Sequence, residues 1–244
     1  MRYELVDNGI GMKCLKCGNV TYHPEDVKNK YCGYCREFLT DDLPQAIAPQ
    51  QPEWDMSLVG FVLDKSGSMS GQREAATTGF NHFVEQVRGY GKPAKLTLMM
   101  FDTEFKLVHD NLDLAAVPGM AYEQYVPDGS TALYDAVGHC VATMEREMSK
   151  YSKARAIMVI LTDGQENSSR EFSYDAIKEL IGSKEAEGNW SFVYLSADPN
   201  GWSHAQQLGI SVGNTVRYST LSTSGTICNA AISTADGCFY DQRL

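Results

Sequence analysis

The sequence has no apolar run long enough to span a membrane. Positive charge is scarce, with 21 Lys and Arg against 31 Asp and Glu, for a net charge of −10 and a pI near 4.9. That removes general electrostatic support for nucleic-acid binding, and no Lys/Arg run offers a local substitute. The N-terminus, Met-Arg-Tyr-Glu-Leu-Val-Asp, lacks the charged-then-apolar layout of a signal peptide, so a cytoplasmic location is expected. There is no Walker phosphate loop, no dinucleotide glycine fingerprint and no G-x-S-x-G elbow. The five histidines (His23, His82, His109, His139, His204) form no H-x-x-x-H or H-E-x-x-H pair. These absences argue against an enzyme. No internal repeat is present.

Seven cysteines are present, and four of them fall in two C-x-x-C pairs. That usage suits a reducing compartment and a bound metal better than a disulfide framework. Cys14 and Cys17 form one pair, Cys32 and Cys35 the other, with Gly18 and Gly33 permitting tight turns. Two such pairs make a closed tetrahedral zinc site. So short a segment buries little core, and the metal would supply its folding energy. A pair of redox dithiols is the alternative, but neither sits in a βαβ context. His23 lies between the pairs and reads as a packing or turn residue, since four thiolates fill a structural site. The pattern C-x-x-C-G-x-x-x-x-H-P-x-D-V-x-x-x-Y-C-G-x-C resembles small bacterial and phage zinc ribbons.

The rest of the chain is organised around Leu58–Gly71. Leu58, Val59, Phe61, Val62 and Leu63 read as a strand buried on both faces. The run ends in Asp64, Ser66 and Ser68, one carboxylate and two hydroxyls at a strand's carboxyl end. In open α/β sheets ligands sit there. Hard oxygens with little charge suit Mg²⁺, Mn²⁺ or Ca²⁺ better than zinc or copper. Further on, Thr131 stands in Asp128-Gly129-Ser130-Thr131, just before a helix pattern. Asp163 follows the buried-strand run Ala156–Thr162.

The D-x-S-x-S spacing, with Thr131 and Asp163 in order behind it, resembles the metal-ion-dependent adhesion site of von Willebrand factor A domains. The resemblance covers roughly residues 56–244 and is closest to the tellurium-resistance group of bacteria and phages. It implies five metal positions, Asp64, Ser66, Ser68, Thr131 and Asp163, around a magnesium ion (or Mn²⁺ or Ca²⁺). It also implies a protein partner that gives an Asp or Glu carboxylate to the metal. Capping of a strand–helix turn would explain the serines alone but not Thr131 and Asp163. Asp128, Glu166 and Asn167 read as rim or supporting residues. An aspartate-nucleophile phosphatase would need a carboxylate at position 66, where Ser66 stands.

The expected organisation is a zinc ribbon over 1–39, a Pro-rich linker over 40–55, and an A domain over 56–244. Helices are expected at Gln72–Arg88, Leu133–Ser152, Phe172–Glu187 (with Ser173 as N-cap), Trp202–Leu208 and Thr226–Ala235. Strands are expected at Lys95–Phe101, Phe105–His109, Trp190–Ala197 and Thr215–Tyr218, with Asn111–Asp128 irregular but for a helical turn at Leu112–Val117. Strands alternating with helices imply a doubly wound, mostly parallel sheet flanked by helices. Cys140 falls on an apolar helix stripe and reads as packing; Cys228 and Cys238, near the tail, are left unassigned, packing being the simplest role. Two other functions compete: a ribbon-based nucleic-acid adaptor with a structural A domain, and a metal-dependent hydrolase.

Overall fold

The computed structural model describes residues 3–6, 11–18, 20–22, 24–32, 37–39, 54–89, 91–196, 201–210 and 215–217. The chain divides into two compact units, Met1–Pro52 and Glu53–Leu244. Cys35, His23, most of the expected linker, the expected helix at 226–235, Cys228 and Cys238 lie outside the described residues.

In the first unit, β1 (Tyr3–Val6), β2 (Gly11–Cys14) and β3 (Val20–Thr21) form an antiparallel sheet in that order. The helix α1 (Pro24–Asn29) opens on a proline, whose missing N–H is unneeded in a first turn. β4 (Tyr31–Cys32) pairs antiparallel with β5 (Glu37–Phe38). Among the described residues the unit's buried core is Met12, Cys14, Val27, Cys32 and Leu39. The Leu39 amide donates to the Lys30 carbonyl at 2.7 Å, which ties the last core residue back to the end of α1.

The second unit holds β6 (Met56–Asp64), α2 (Arg73–Gly89), β7 (Ala94–Phe101), β8 (Phe105–Asp113), α3 (Leu133–Met148) and β9 (Ala154–Thr162). α4 (Tyr174–Ala186), β10 (Trp190–Ser196), α5 (Gly201–Gln207) and β11 (Thr215–Arg217) follow. The strands form one six-stranded sheet in the order β11-β10-β9-β6-β7-β8. Every pairing is parallel except β7 with β8. This is the expected doubly wound architecture. Strand order reverses at β6, whose neighbours are β7 and β9, so its carboxyl end is the switch point where such sheets bind ligands.

Alternation along β6 feeds both faces, as the two-residue period of a strand requires. Val59, Phe61 and Leu63 pack with Phe80, Phe83, Val84 and Val87 of α2. The Phe61 ring meets Phe80 and Phe83 edge-on at 5.2 and 5.4 Å, the arrangement aromatic quadrupoles favour. Leu58 and Val62 face the other way, toward Val137, Cys140, Val141 and Met144 of α3 and Ile177 and Ile181 of α4. Gly60 allows α3 to approach: a Cβ there would lie 2.4 Å from Met144 Sδ and 3.1 Å from Cys140 Sγ. Cys140 is a packing residue, and full burial pushes its thiol up to about 12.

Several boundaries moved, among them the end of α3, at Met148 where Ser152 was expected. β8 runs on to Asp113, where an irregular stretch was expected from Asn111. Irregular register within the β7–β8 pairing and a left-handed Asn111 (φ 49°) break the alternation that marks a strand in sequence. The helical turn is real but short, at Leu114–Ala116. α4 begins at Tyr174 with Ser173 as its N-cap, its hydroxyl accepting from the Ala176 amide at 3.2 Å.

Candidate metal centres

β6 ends at Asp64, and the chain turns at once into a 3₁₀ segment, Gly67–Gln72, that leads into α2. Asp64 is fully buried. One of its oxygens accepts the Ser66 amide at 2.7 Å, and the other accepts the Thr162 hydroxyl at 2.5 Å. Both donors are neutral, and among the described residues Asp64 forms no ion pair. Burial therefore raises its pKa, and the nearby Asp163 charge adds to that, against the hydrogen bonds from Thr162 and Ser66.

The hydroxyls of Ser66 and Ser68 lie 3.1 Å apart, and Ser68 Oγ donates to Asp163 Oδ1 at 2.7 Å. The second Asp163 oxygen accepts Gln72 Nε2 at 2.8 Å. Thr131 is buried, and Asn167 fixes it from both sides. Its amide donates to Asn167 Oδ1 at 2.8 Å, and its carbonyl accepts the Asn167 amide at 3.0 Å. Gly164 brings the three loops to one point. A Cβ placed there would lie 3.2 Å from Thr131 Oγ1, 3.4 Å from Ser68 Oγ and 3.7 Å from Asp64 Oδ2. All five sequence-selected positions thus meet at the carboxyl end of β6 and β9.

The donor set fits a hard divalent cation. It is all oxygen, with two carboxylates and three hydroxyls. Two close carboxylates, one of them fully buried without a cationic partner, are an arrangement that a dication relieves. Ser68 is exposed, so one side of the cluster is open to solvent.

Thr162, Tyr125 and Asp135 are supports that the sequence did not announce, whereas Asp128, Glu166 and Asn167 were expected there as rim or supporting residues. Thr162, last residue of β9, orients Asp64. The buried Tyr125 donates its hydroxyl to the Asp64 carbonyl from a segment without periodicity. Asp135 opens α3 and accepts the amides of Arg170, Glu171 and Phe172 at 2.8–3.0 Å, which pins the loop after Asp163. Glu166 accepts the amides of Tyr134, Ser168 and Ser169 and the Ser169 hydroxyl. It braces the loop and is not aimed at the metal cluster as a ligand. Asp128 accepts its neighbour's amide, Gly129 N, at 2.8 Å. Lys65, between Asp64 and Ser66, turns away to pair with Asp102.

In the first unit, the sulfurs of Cys14, Cys17 and Cys32 lie within 4.8 Å of one another. Cys17 Sγ and Cys32 Sγ are 3.7 Å apart. Two sulfurs bound tetrahedrally to one zinc at about 2.3 Å would be about 3.8 Å apart, so the spacing fits. Gly18 takes a left-handed φ of 76° and donates to the Cys14 carbonyl at 2.8 Å, forming the knuckle turn. Burial pushes the Cys14 thiol up, but hydrogen bonds from Cys17, Lys16 and Cys32 outweigh it and bring it to about 7. A readily formed thiolate is what a metal ligand requires. No disulfide occurs among the described residues.

No protein-family model matches the chain, and no curated protein sequence matches it. Solved structures do match in shape, and the second unit has the α/β fold of von Willebrand factor A domains. The von Willebrand factor domain of the type V pilus tip protein Mfa5 from Porphyromonas gingivalis superposes with a TM-score of 0.59 at 10% identity, over 78% of this chain and 98% of that one. Proximal thread matrix protein 1 from the mussel byssus gives 0.55 at 17% identity over 75% of this chain, which spans only 46% of the mussel protein. Manganese-loaded TRAP protein of Plasmodium vivax gives 0.53 at 14% identity, over 74% and 72% of the two chains. No helix of the described residues is long and apolar enough to cross a membrane.

Proposed function

We propose that this chain is a metal-dependent protein-interaction module of the tellurium-resistance kind. Asp64, Ser66, Ser68, Thr131 and Asp163 hold a divalent cation, magnesium in the first instance, and an Asp or Glu side chain of a partner completes its shell. The observation that supports this best is the meeting of Asp64, Ser68 and Thr131 oxygens within 3.7 Å of one point above Gly164. Only two charged donors face the ion, so it stays electrophilic toward an incoming carboxylate. Asp163 has both oxygens engaged, by Ser68 and Gln72, which favours its action through a bound water. A neighbour of the same fold is manganese-loaded, which supports a divalent ion in this chain.

Cys14, Cys17, Cys32 and Cys35 hold a structural zinc. Its thiolates favour a reducing compartment, and a cytoplasmic site of action follows. The reading makes the protein a binder and not an enzyme.

The test is a metal inventory of purified protein followed by affinity capture with and without Mg²⁺ or Mn²⁺. One zinc per chain and a divalent-dependent partner, lost in Asp64→Ala with the fold retained, are expected. Capture unchanged by Asp64→Ala would sink the proposal. Turnover of a phosphate or peptide panel, abolished in Asp163→Ala, would replace binding with hydrolysis.

A further inference from the structure

Beside the oxygen cluster lies a recess of about 160 Å³, lined by Tyr134, Gly164, Gln165, Glu166, Tyr174 and His204 among others. Gly164 belongs to both places: it borders this recess, and the cluster oxygens surround the position of its absent Cβ. A chain bound to the cation through one side chain therefore passes the recess with its neighbouring residues.

The chemistry of the walls selects the occupant. The rings of Tyr134 and Tyr174 have centroids 6.3 Å apart and planes inclined at 54°, so they present two aromatic surfaces. Glu166 is held by four hydrogen bonds, all from neutral donors. Among the described residues it forms no ion pair, so its charge is uncompensated, and none of the lining residues is a lysine or arginine. The Tyr134 phenol is raised by burial, by the Glu166 charge and by Tyr174, in keeping with a recess at negative potential. Lys178 already places its ammonium 5.9 Å from the Tyr174 ring centroid, which shows that ring serving a cation. An apolar side chain lodged here would desolvate a carboxylate with nothing in return. A guanidinium or ammonium would pair with it and lie against the rings. The volume is near that of cavities that hold one benzene, enough for the end of one side chain.

We propose that this recess binds a lysine or arginine side chain of the same partner segment whose Asp or Glu occupies the metal. The inference rests on the metal reading above and names the partner more narrowly: an acidic residue with a basic residue close by. Recognition is then two-point, one charge of each sign.

The test uses the full chain loaded with Mn²⁺ and blocked Gly/Ser pentapeptides carrying one Asp. A second position, one to three residues from the Asp on either side, holds Lys, norleucine or Glu. At the best spacing the Lys peptide should bind about fivefold or more tightly than the norleucine peptide, in the range of a partly exposed cation–π contact with ion-pair support. Gln165 is exposed at the mouth, and Gln165→Lys should erase that preference, so that Lys and norleucine peptides bind alike. Equal binding of Lys and norleucine peptides, in a Mn²⁺-dependent manner lost in Asp64→Ala, would overturn the recess and leave the metal reading standing. A norleucine preference would do the same. Failure of every Asp peptide to bind in a Mn²⁺-dependent manner would overturn both.

Discussion

Gly164→Ala separates the metal site from the fold. The new methyl carbon would sit 3.2 Å from Thr131 Oγ1, 3.4 Å from Ser68 Oγ and 3.7 Å from Asp64 Oδ2. These contacts are tight but not forbidden, and Gly164 is half-buried with an ordinary backbone φ. The fold should lose about 1 kcal/mol, the low end for overpacking. The cation should lose more, because the methyl crowds three of its five donors at once. At a concentration one hundred times its Kd, an ion bound only to the native state stabilises by about 2.7 kcal/mol. For a unit of this size that is a rise in Tm of roughly 5–10 °C. A tenfold weaker site under the same conditions retains about 1.4 kcal/mol, half the rise. The assay is thermal unfolding in divalent-free buffer and across a Mg²⁺ or Mn²⁺ titration, for wild type and Gly164→Ala. A variant whose apo Tm is close to wild type, but whose divalent-induced rise is halved or absent, is expected. An unchanged rise would refute the placement of the cation among these oxygens.

Asn167→Ala removes the acceptor that fixes the Thr131 amide, and should weaken the divalent response several-fold in the same titration without abolishing it. In the first unit, Cys14→Ser should lower zinc content below one per chain and unfold that unit alone, seen as loss of protection of its amides while the second unit keeps its Tm. Glu147 is buried at the end of α3, with Lys150 Nζ 2.5 Å and Lys95 Nζ 2.8 Å away. Those hydrogen bonds, from Lys150 first and then Lys95, hold its carboxyl down at about 2. Its contribution is complete above the ordinary carboxylate pKa and fades as pH falls from about 4.5 towards 2. Lys150 is well exposed, so we expect about 1–2 kcal/mol after screening. Denaturant unfolding against pH should show that loss in wild type and a flatter profile in Glu147→Gln.

The sequence by itself determined the sheet class and picked out the candidate ligand positions that the fold brings together. Those features rest on local chemistry: buried apolar runs at β6 and β9, a D-x-S-x-S turn at a strand end, thiol pairs two residues apart. Periodicity also located α2, α3 and α4 to within a few residues, and Ser173 announced its own helix. It stopped short at β8, which starts at Phe105 as expected but runs on to Asp113, past an irregular register and a left-handed Asn111 that interrupt the alternation on which strand reading depends. Only the tertiary structure decided how the ligands are held. Asp64 is oriented by Thr162 and braced by Tyr125, which is 61 residues away in the chain. Thr131 is clamped by Asn167, and the loop carrying Asp163 is pinned by Asp135. Apart from Asn167, read from the sequence as a rim or supporting residue, none of these has a sequence signature, because each is a polar contact between segments far apart in the chain. The recess of Tyr134, Glu166 and Tyr174 is of the same kind. Its walls come from the start of α3, the loop after β9 and the start of α4, and only the closing of the sheet order around β6 brings them beside the oxygen cluster.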